Sequence, residues 1–352
     1  MKLLTSLVLV AGIVGLTGCP VKSDVEDGRQ PIVVIGFDEH DTTLQGIIDG
    51  EVHGTVVQNP YMYGHQSVEI LARLARNEPA KDVLPENGFQ NHEARQIRQD
   101  NVHKFWEEKK SQLAAGEGQS QIKKGRPTVA YITNGVDPFW TIAAAGAKAA
   151  GNEFDVNVLL RFPANGVGDQ KQMIQDLLVQ DDVTGLAISP INPENQAELL
   201  DQVGATKHYI THDSDAPKTN RLAYIGMENY QAGRLAGELI KEAMPDGGTV
   251  MIFVGRLGQL NAEQRRQGVI DELLDREFDP ERRDPNEKLK GDKYTILGTR
   301  TDDFDQAKAK QNAQDAIAKY PELGCMVGLF AYNPPQCLQA VQEAGRQVRT
   351  DE

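Results

Sequence analysis

Basic charge, cysteine, aromatic rings and long apolar runs are all scarce in this chain of 352 residues. Its 37 lysines and arginines are outnumbered by 51 aspartates and glutamates, giving a formal charge of −14. That balance argues against a phosphate-backbone binder, so no nucleic-acid partner is expected. Beyond the extreme N-terminus no apolar run reaches the roughly 18 residues that a membrane-spanning helix needs. The three cysteines are too few for a disulfide-stapled fold. What remains, 39% hydrophobic and 25% charged, is an ordinary globular composition that excludes disorder and collagen-like repeats. The length leaves room for two lobes.

The one apolar run sits at the start. Lys2 supplies a positive end, Leu3 to Leu16 an apolar stretch, and Leu16-Thr17-Gly18-Cys19 breaks it, which is the layout of an export signal. Leu-Thr-Gly-Cys also resembles the bacterial lipobox, whose cysteine is acylated. The expectation is a signal and lipobox over 1–19, an exposed tether over 20–30, and a protein lipid-anchored at Cys19 in the periplasm or cell envelope. A plain secretory signal with a chance cysteine is the alternative. If Cys19 carries lipid, Cys325 and Cys337 remain. Cys325 begins an apolar strand and Cys337 opens the following helix, so the strand's length, at roughly 3.3 Å per residue, separates them. A bridge needs Cα atoms within about 7 Å, and two buried, inert thiols are expected.

From Arg126 onward short apolar runs alternate with amphipathic stretches: PTVAYIT, Ile142 to Phe154, VNVLLRF, Gln170 to Val179, GLAISP, Glu194 to Val203 and KHYITHD. Rich in Val, Ile and Leu without strict alternation, the runs read as strands of a parallel sheet covered on both faces. The rhythm resumes through GTVMIFVG, KYTILGT and CMVGLFAY, with helices over Tyr230–Met244, Glu263–Glu277, Gln306–Tyr320 and Gln336–Gly345. Upstream, PIVVIGFDE and HGTVVQNP read as strands, Thr42–Asp49 and Gly64–Arg76 as helices, Pro79 to Asn91 as irregular, and Asn101–Gln112 as a charged helix. The fold class is α/β, two doubly wound parallel-sheet lobes whose ligand sites lie at the carboxyl ends of the strands.

Several phrases together resemble the type I periplasmic sugar-binding proteins: TNGVDPFWTIAAAGAKAA at 133–150, THDSDAP at 211–217, RLAYIGMENYQAGRLAG at 221–237, and VIGFDE with GTVVQNPYMYG at 34–39 and 54–64. The order departs from that family. There the GFDE and TVVQNP strands follow the last helix, here PPQCLQAVQEAG at 334–345, and a DNVHKFWEEKK-like helix ends the chain. This chain thus resembles a circularly permuted member, cut between Gly345 and Pro31. The resemblance implies lobe II from 31–58, 85–113 and 228–347, lobe I from 59–84 and 126–227, and a joining linker at 114–125. It also implies a multi-strand hinge at Val56 to Tyr61, Val83 to Arg95 and Leu222 to Asn229.

A sugar presents weakly apolar C–H faces and hydroxyls that need partners once water leaves. Phe139 and Trp140 are suited to clamp ring faces, or else fill lobe core. Asp137 is either a ligand contact beside Asn134 or the N-cap of the helix at 139. The resemblance assigns ligand contacts to Asp213, Arg265, Asn333, Asp38 and Gln58, places Arg266 on a solvated face, and puts Ser214 where ribose-binding proteins carry an arginine. Phe304 offers another stacking face or a core side chain. Lobe I supplies Phe139, Trp140 and Asp213, lobe II supplies Arg265, Asn333 and Asp38, and Gln58 lies near a crossing strand, so a ligand would favour a closed state.

The expected function is capture of a monosaccharide and its delivery, by a monomer without cofactor, to the membrane permease of an ABC importer. A sensing component for a chemoreceptor or sensor kinase is the alternative. Enzyme readings have weak support. His208 and His212 with Asp213 lack a further close metal ligand, GEGQSQ at 116–121 lacks a P-loop lysine, no GxSxG turn is present, and the helix-turn-helix of sugar-responsive repressors is absent.

Overall fold

A computed structural model describes residues 29–118 and 122–348, so the lipobox Cys19 and most of the tether lie outside the described residues. The strands are β1 (Val33–Phe37), β2 (Gly54–Val57), β3 (Phe89–Asn91), β4 (Arg95–Ile97), β5 (Thr128–Ile132), β6 (Asn157–Arg161) and β7 (Val183–Ile188). They continue with β8 (His208–His212), β9 (Tyr224–Gly226), β10 (Gly248–Val254), β11 (Leu289–Lys290), β12 (Tyr294–Thr301) and β13 (Cys325–Gly328). The first helices are α1 (Asp41–Ile48), α2 (Pro60–Ala75), α3 (Ala80–Val83), α4 (Val102–Ala115), α5 (Pro138–Glu153) and α6 (Val167–Leu178). After them come α7 (Pro193–Thr206), α8 (Asn229–Ala243), α9 (Leu260–Leu273), α10 (Gln306–Lys319) and α11 (Asn333–Glu343).

The strands form two sheets. Lobe I holds a six-stranded sheet in the order β3-β9-β8-β7-β5-β6, parallel throughout. Lobe II holds a seven-stranded sheet, β11-β12-β10-β13-β1-β2-β4, parallel except for its two edge strands. Helices cover both faces of each, which is why interior strands such as VVIGF and TVAYI are buried at every position. Each lobe has two apolar clusters, one on either side of its sheet.

Within each lobe a helix that follows a crossing strand packs against the helix that carries the residues expected at the site, α2 on α5 and α8 on α9, and glycines set the spacing. A Cβ on Gly64 of α2 would lie 1.9 Å from the Ala143 carbonyl of α5, and one on Gly268 of α9 would lie 2.1 Å from the Tyr230 carbonyl of α8. Only hydrogen fits at either contact.

The chain passes between the sheets four times: from β2 to α2, from β3 to β4, from α4 to β5 and from β9 to α8. Three of these coincide with the segments named above as hinges, and the remaining one is carried by α4. Val102 and Phe105 of α4 sit in the lobe II core, and the Lys109 ammonium donates to the Glu39 carbonyl at 2.6 Å and the Asp41 carboxylate at 2.7 Å. At the far end of α4, Gly116 presses on Ala145 of α5 in lobe I. The helix therefore straddles both lobes.

Several local expectations are corrected. Helix α2 begins at Pro60, not Gly64, because Asn59 caps it by accepting from the Met62 amide at 3.2 Å and Pro60 needs no amide partner at its first turn. The stretch 79–91 contains α3 and β3. Because β3 pairs with β9, lobe I extends past residue 84 to Asn91. Arg266 is buried, not solvated: its guanidinium donates to the Thr299 hydroxyl at 2.7 Å and to the Asp284 and Pro285 carbonyls at 2.9 Å. The cysteines, by contrast, are as expected: Cys325 and Cys337 are free and buried, and burial pushes both thiols up beyond any useful reactivity.

Candidate functional site

A cavity of about 430 Å3 lies between the lobes at the carboxyl ends of their strands. Asp38 follows β1, Asn134 to Asp137 follow β5, Asp213 follows β8, and Asp303 and Phe304 follow β12. Four of these, Asp38, Asp213, Asp303 and Phe304, have φ between 57° and 66°. Side chains other than glycine rarely hold that conformation, and its concentration at one cleft marks backbone turned to aim side chains inward.

Lobe I contributes an aromatic wall backed by a polar floor. Phe139 and Trp140 open α5 and meet edge to face with centroids 4.9 Å apart. Behind Trp140 lies the His212 ring, stacked on Tyr131 at 4.1 Å, with a ring nitrogen 3.0 Å from the Tyr131 hydroxyl. Burial pulls His212 down to about 3, so it is a neutral packing group. Asp137 caps α5 by accepting from the Phe139 amide at 2.9 Å, and it also faces the cavity. The N-cap read from sequence is present, and the same side chain stands at the cavity. The Asp213 carboxylate accepts from Ser189 at 3.2 Å and Asn134 at 3.3 Å.

Lobe II supplies the cation. Arg265 is 1% exposed, its guanidinium held between Phe37 and Phe330 with ring centroids 4.4 and 5.4 Å away. Its Nε donates to Asn229 at 2.9 Å and Nη1 to the Leu329 carbonyl at 3.2 Å. Nη2 has no hydrogen-bond partner and stands 4.0 Å from an Asp213 carboxylate oxygen across the cleft. On the same side the Gln58 amide donates to Asp38 at 2.6 Å, and the Gln58 oxygen accepts from Tyr63 at 3.2 Å.

Burial pushes Asp38 up to about 7 and Asp213 up to about 6, with Arg265 opposing the shift in each. Burial also raises Asp137. Such groups suit hydroxyl recognition, because a carboxyl group at either protonation state accepts hydrogen bonds and the neutral form also donates. One contact already joins the lobes directly, from the Gln259 amide to the Ile191 carbonyl at 3.1 Å.

Nine of the ten candidate ligand residues line the cavity: Asn134, Asp137, Phe139, Trp140, Asp213, Arg265, Phe304, Asp38 and Gln58. Asn333 does not. It is 1% exposed at the start of α11, where its amide donates to Asp302 at 2.9 Å. Sequence reasoning missed Phe330 and Tyr332, which join Phe304 in a lobe II aromatic wall with Phe304 and Phe330 at 5.6 Å. Their spacing of two beyond the end of β13 was the available signal. No group of three potential metal ligands occurs among the described residues.

The family profile described as "Periplasmic binding protein domain" matches residues 129–351. The ribose import binding protein RbsB of Haemophilus influenzae is 24% identical over 246 residues, covering 68% of this chain and 76% of that protein. RbsB of Escherichia coli is 23% identical over 231 residues, covering 63% and 70%. Among solved structures, an ABC transporter solute-binding protein from Burkholderia graminis in complex with D-arabinose superposes with a TM-score of 0.55 at 26% identity, covering 62% of this chain and 72% of that one. The glucose-galactose binding protein GanP of Geobacillus stearothermophilus shares the fold at 21% identity and a TM-score of 0.56, covering 63% and 75%. These relatives are binding proteins rather than enzymes. With its two parallel-sheet lobes closing on one cleft, the chain belongs to the periplasmic binding protein family, in its type I sugar-binding group.

Proposed function

We propose that the protein captures a monosaccharide between its lobes and delivers it to the membrane permease of an ABC importer, working in the periplasm as a lipoprotein held by Cys19. The observation that carries this reading is the unpaired Arg265 Nη2 facing Asp213 across the cleft. A buried guanidinium nitrogen without a partner costs about 1–3 kcal/mol, and a sugar hydroxyl placed between it and the carboxylate removes that cost only when the lobes are together. Aromatic walls on both sides, Phe139 with Trp140 and Phe304 with Phe330, suit the C–H faces of a ring. Asn134, Asp137, Asp213, Arg265, Asp38 and Gln58 then serve the hydroxyls.

A permuted chain order belongs to the same proposal. Its supports are that the family profile leaves out the first 128 residues, that β1 and β2 nonetheless sit inside the lobe II sheet, and that Ile32 bridges to Val348, bringing the described ends together. Isothermal calorimetry against a panel of D-pentoses and D-hexoses tests the function. Saturable one-to-one binding of at least one sugar is expected, and heats no larger than dilution across the whole panel would refute it.

A further inference from the structure

Asp302 stands at the end of β12, 1% exposed, and its carboxylate takes hydrogen bonds from three directions. One oxygen accepts from the Phe304 amide at 2.9 Å and from the Tyr332 hydroxyl. The other accepts from the Asn333 amide at 2.9 Å. Phe304 and Tyr332 both line the cleft, and they arise from different connections, one after β12 and one after β13. Asp303 and Phe304 hold left-handed backbone at φ 58° and 66°, conformations that need an external hold. The Asn333 side-chain oxygen is buried with no hydrogen-bond partner, and its amide is held by Asp302.

Resting on the sugar-binding reading above, we propose that Asp302 is a positioning residue that sets which sugars the cleft accepts. By accepting from the Tyr332 hydroxyl and the Phe304 amide, it fixes the Phe304–Tyr332 part of the lobe II wall as a surface that stacks on a ring, with the Tyr332 proton already committed. Hydrogen bonds to ligand hydroxyls then fall to the polar groups around that patch, Asp38, Gln58 and Arg265 from lobe II and Asn134 and Asp213 from lobe I. A ligand edge that lies against Phe304 and Tyr332 is read by shape, and a hydroxyl pointing at Tyr332 finds no donor there. Burial pushes Asp302 up to about 6, with the Tyr332 hydroxyl opposing the shift, so near neutral pH the group is an ionised acceptor.

The test compares Asp302→Ala and Asp302→Asn with the wild type. Calorimetry measures Kd for D-ribose, D-xylose, D-arabinose, D-allose, D-glucose and D-galactose, together with the single-deoxy analogues of whichever sugar binds best. With the carboxylate gone, the Tyr332 hydroxyl regains a free donor that faces the cleft. The affinity ratio between the best sugar and the deoxy analogue altered at the wall-facing position should then shift at least about 10-fold in Asp302→Ala. In Asp302→Asn, which keeps one acceptor oxygen and the original shape, the same ratio should shift about 3-fold in the same direction. If all affinities fall by a common factor in Asp302→Asn, with every ratio within twofold of wild type, Asp302 is merely structural and the inference is overturned. The Asn variant decides alone if Asp302→Ala does not fold. Absence of binding by the wild type defeats the sugar-binding reading and this inference with it, whereas wild-type binding with unchanged ratios defeats only the inference.

Discussion

Replacing Arg265 with lysine isolates what the guanidinium fork contributes. The two side chains carry the same charge and a similar apolar stem, so the Coulombic pull on Asp213 and Asp38 is largely kept. The fork is lost. In the wild type Nε is committed to Asn229, Nη1 to the Leu329 carbonyl, and Nη2 is left over for the cleft. A lysine ammonium on a flexible stem cannot reach all three positions from between Phe37 and Phe330. On the proposed function this cleft-facing donor would make a charge-assisted hydrogen bond to the sugar, and such a bond contributes about 1.5–3 kcal/mol. Arg265→Lys should therefore weaken the best sugar by about 10- to 150-fold, since each 1.4 kcal/mol is about tenfold in Kd. Calorimetry gives Kd, and thermal unfolding without sugar reports the separate structural cost of leaving Asn229 or Leu329 unpaired. A folded Arg265→Lys protein that binds within threefold of wild type would refute the reasoning, because the unpaired nitrogen would then have no part in holding ligand.

Three further outcomes are expected. Asp38 holds its proton up to about pH 7 when folded and loses it near 3.8 when unfolded, so its ionisation destabilises the ligand-free protein as pH rises through that window. The stability of Asp38→Asn relative to wild type should accordingly be greater at pH 8 than at pH 5, and a pH-independent difference in Tm would contradict the buried-carboxyl assignment. Of the two tryptophans, Trp140 lines the cleft and Trp106 packs at the lobe II core, so a sugar-induced change in intrinsic fluorescence should survive Trp106→Phe and vanish in Trp140→Phe. Gly64→Ala sets a methyl against the Ala143 carbonyl and should cost about 1–3 kcal/mol in urea unfolding by forcing α2 from α5. No loss would mean that the helix pair relaxes freely.

Much of the architecture was legible because strands buried on both faces write themselves as continuous apolar runs, and all the strong runs from VVIGF to CMVG form strands. The weak elements were not. β3 and β4 have three residues each and carry no period long enough to recognise. Polar residues at strand ends guided well to the cavity lining where a partner lines it too, as with Asp38, held by Gln58, and Asp213, held by Asn134. Asn333 failed for a physical reason: Asp302, thirty-one positions earlier, takes its amide, and a local phrase such as AYNPP does not reveal a partner in another connection. Arg266 failed likewise. Its neighbour Arg265 faces the cleft, but the carbonyls of Asp284 and Pro285 fold over α9 and satisfy a second buried guanidinium there.

Because β1 lies between β13 and β2 in the middle of the lobe II sheet, while α2 and β3 belong to lobe I, the part of the molecule before α5 is woven into both halves. A chain break introduced between α4 and β5 should leave two polypeptides, neither with a complete sheet, that reassemble when produced together and separate only on unfolding. The protein would then be a natural two-piece reporter, with sugar raising the yield of reconstituted heterodimer by favouring the form in which the pieces share the most surface.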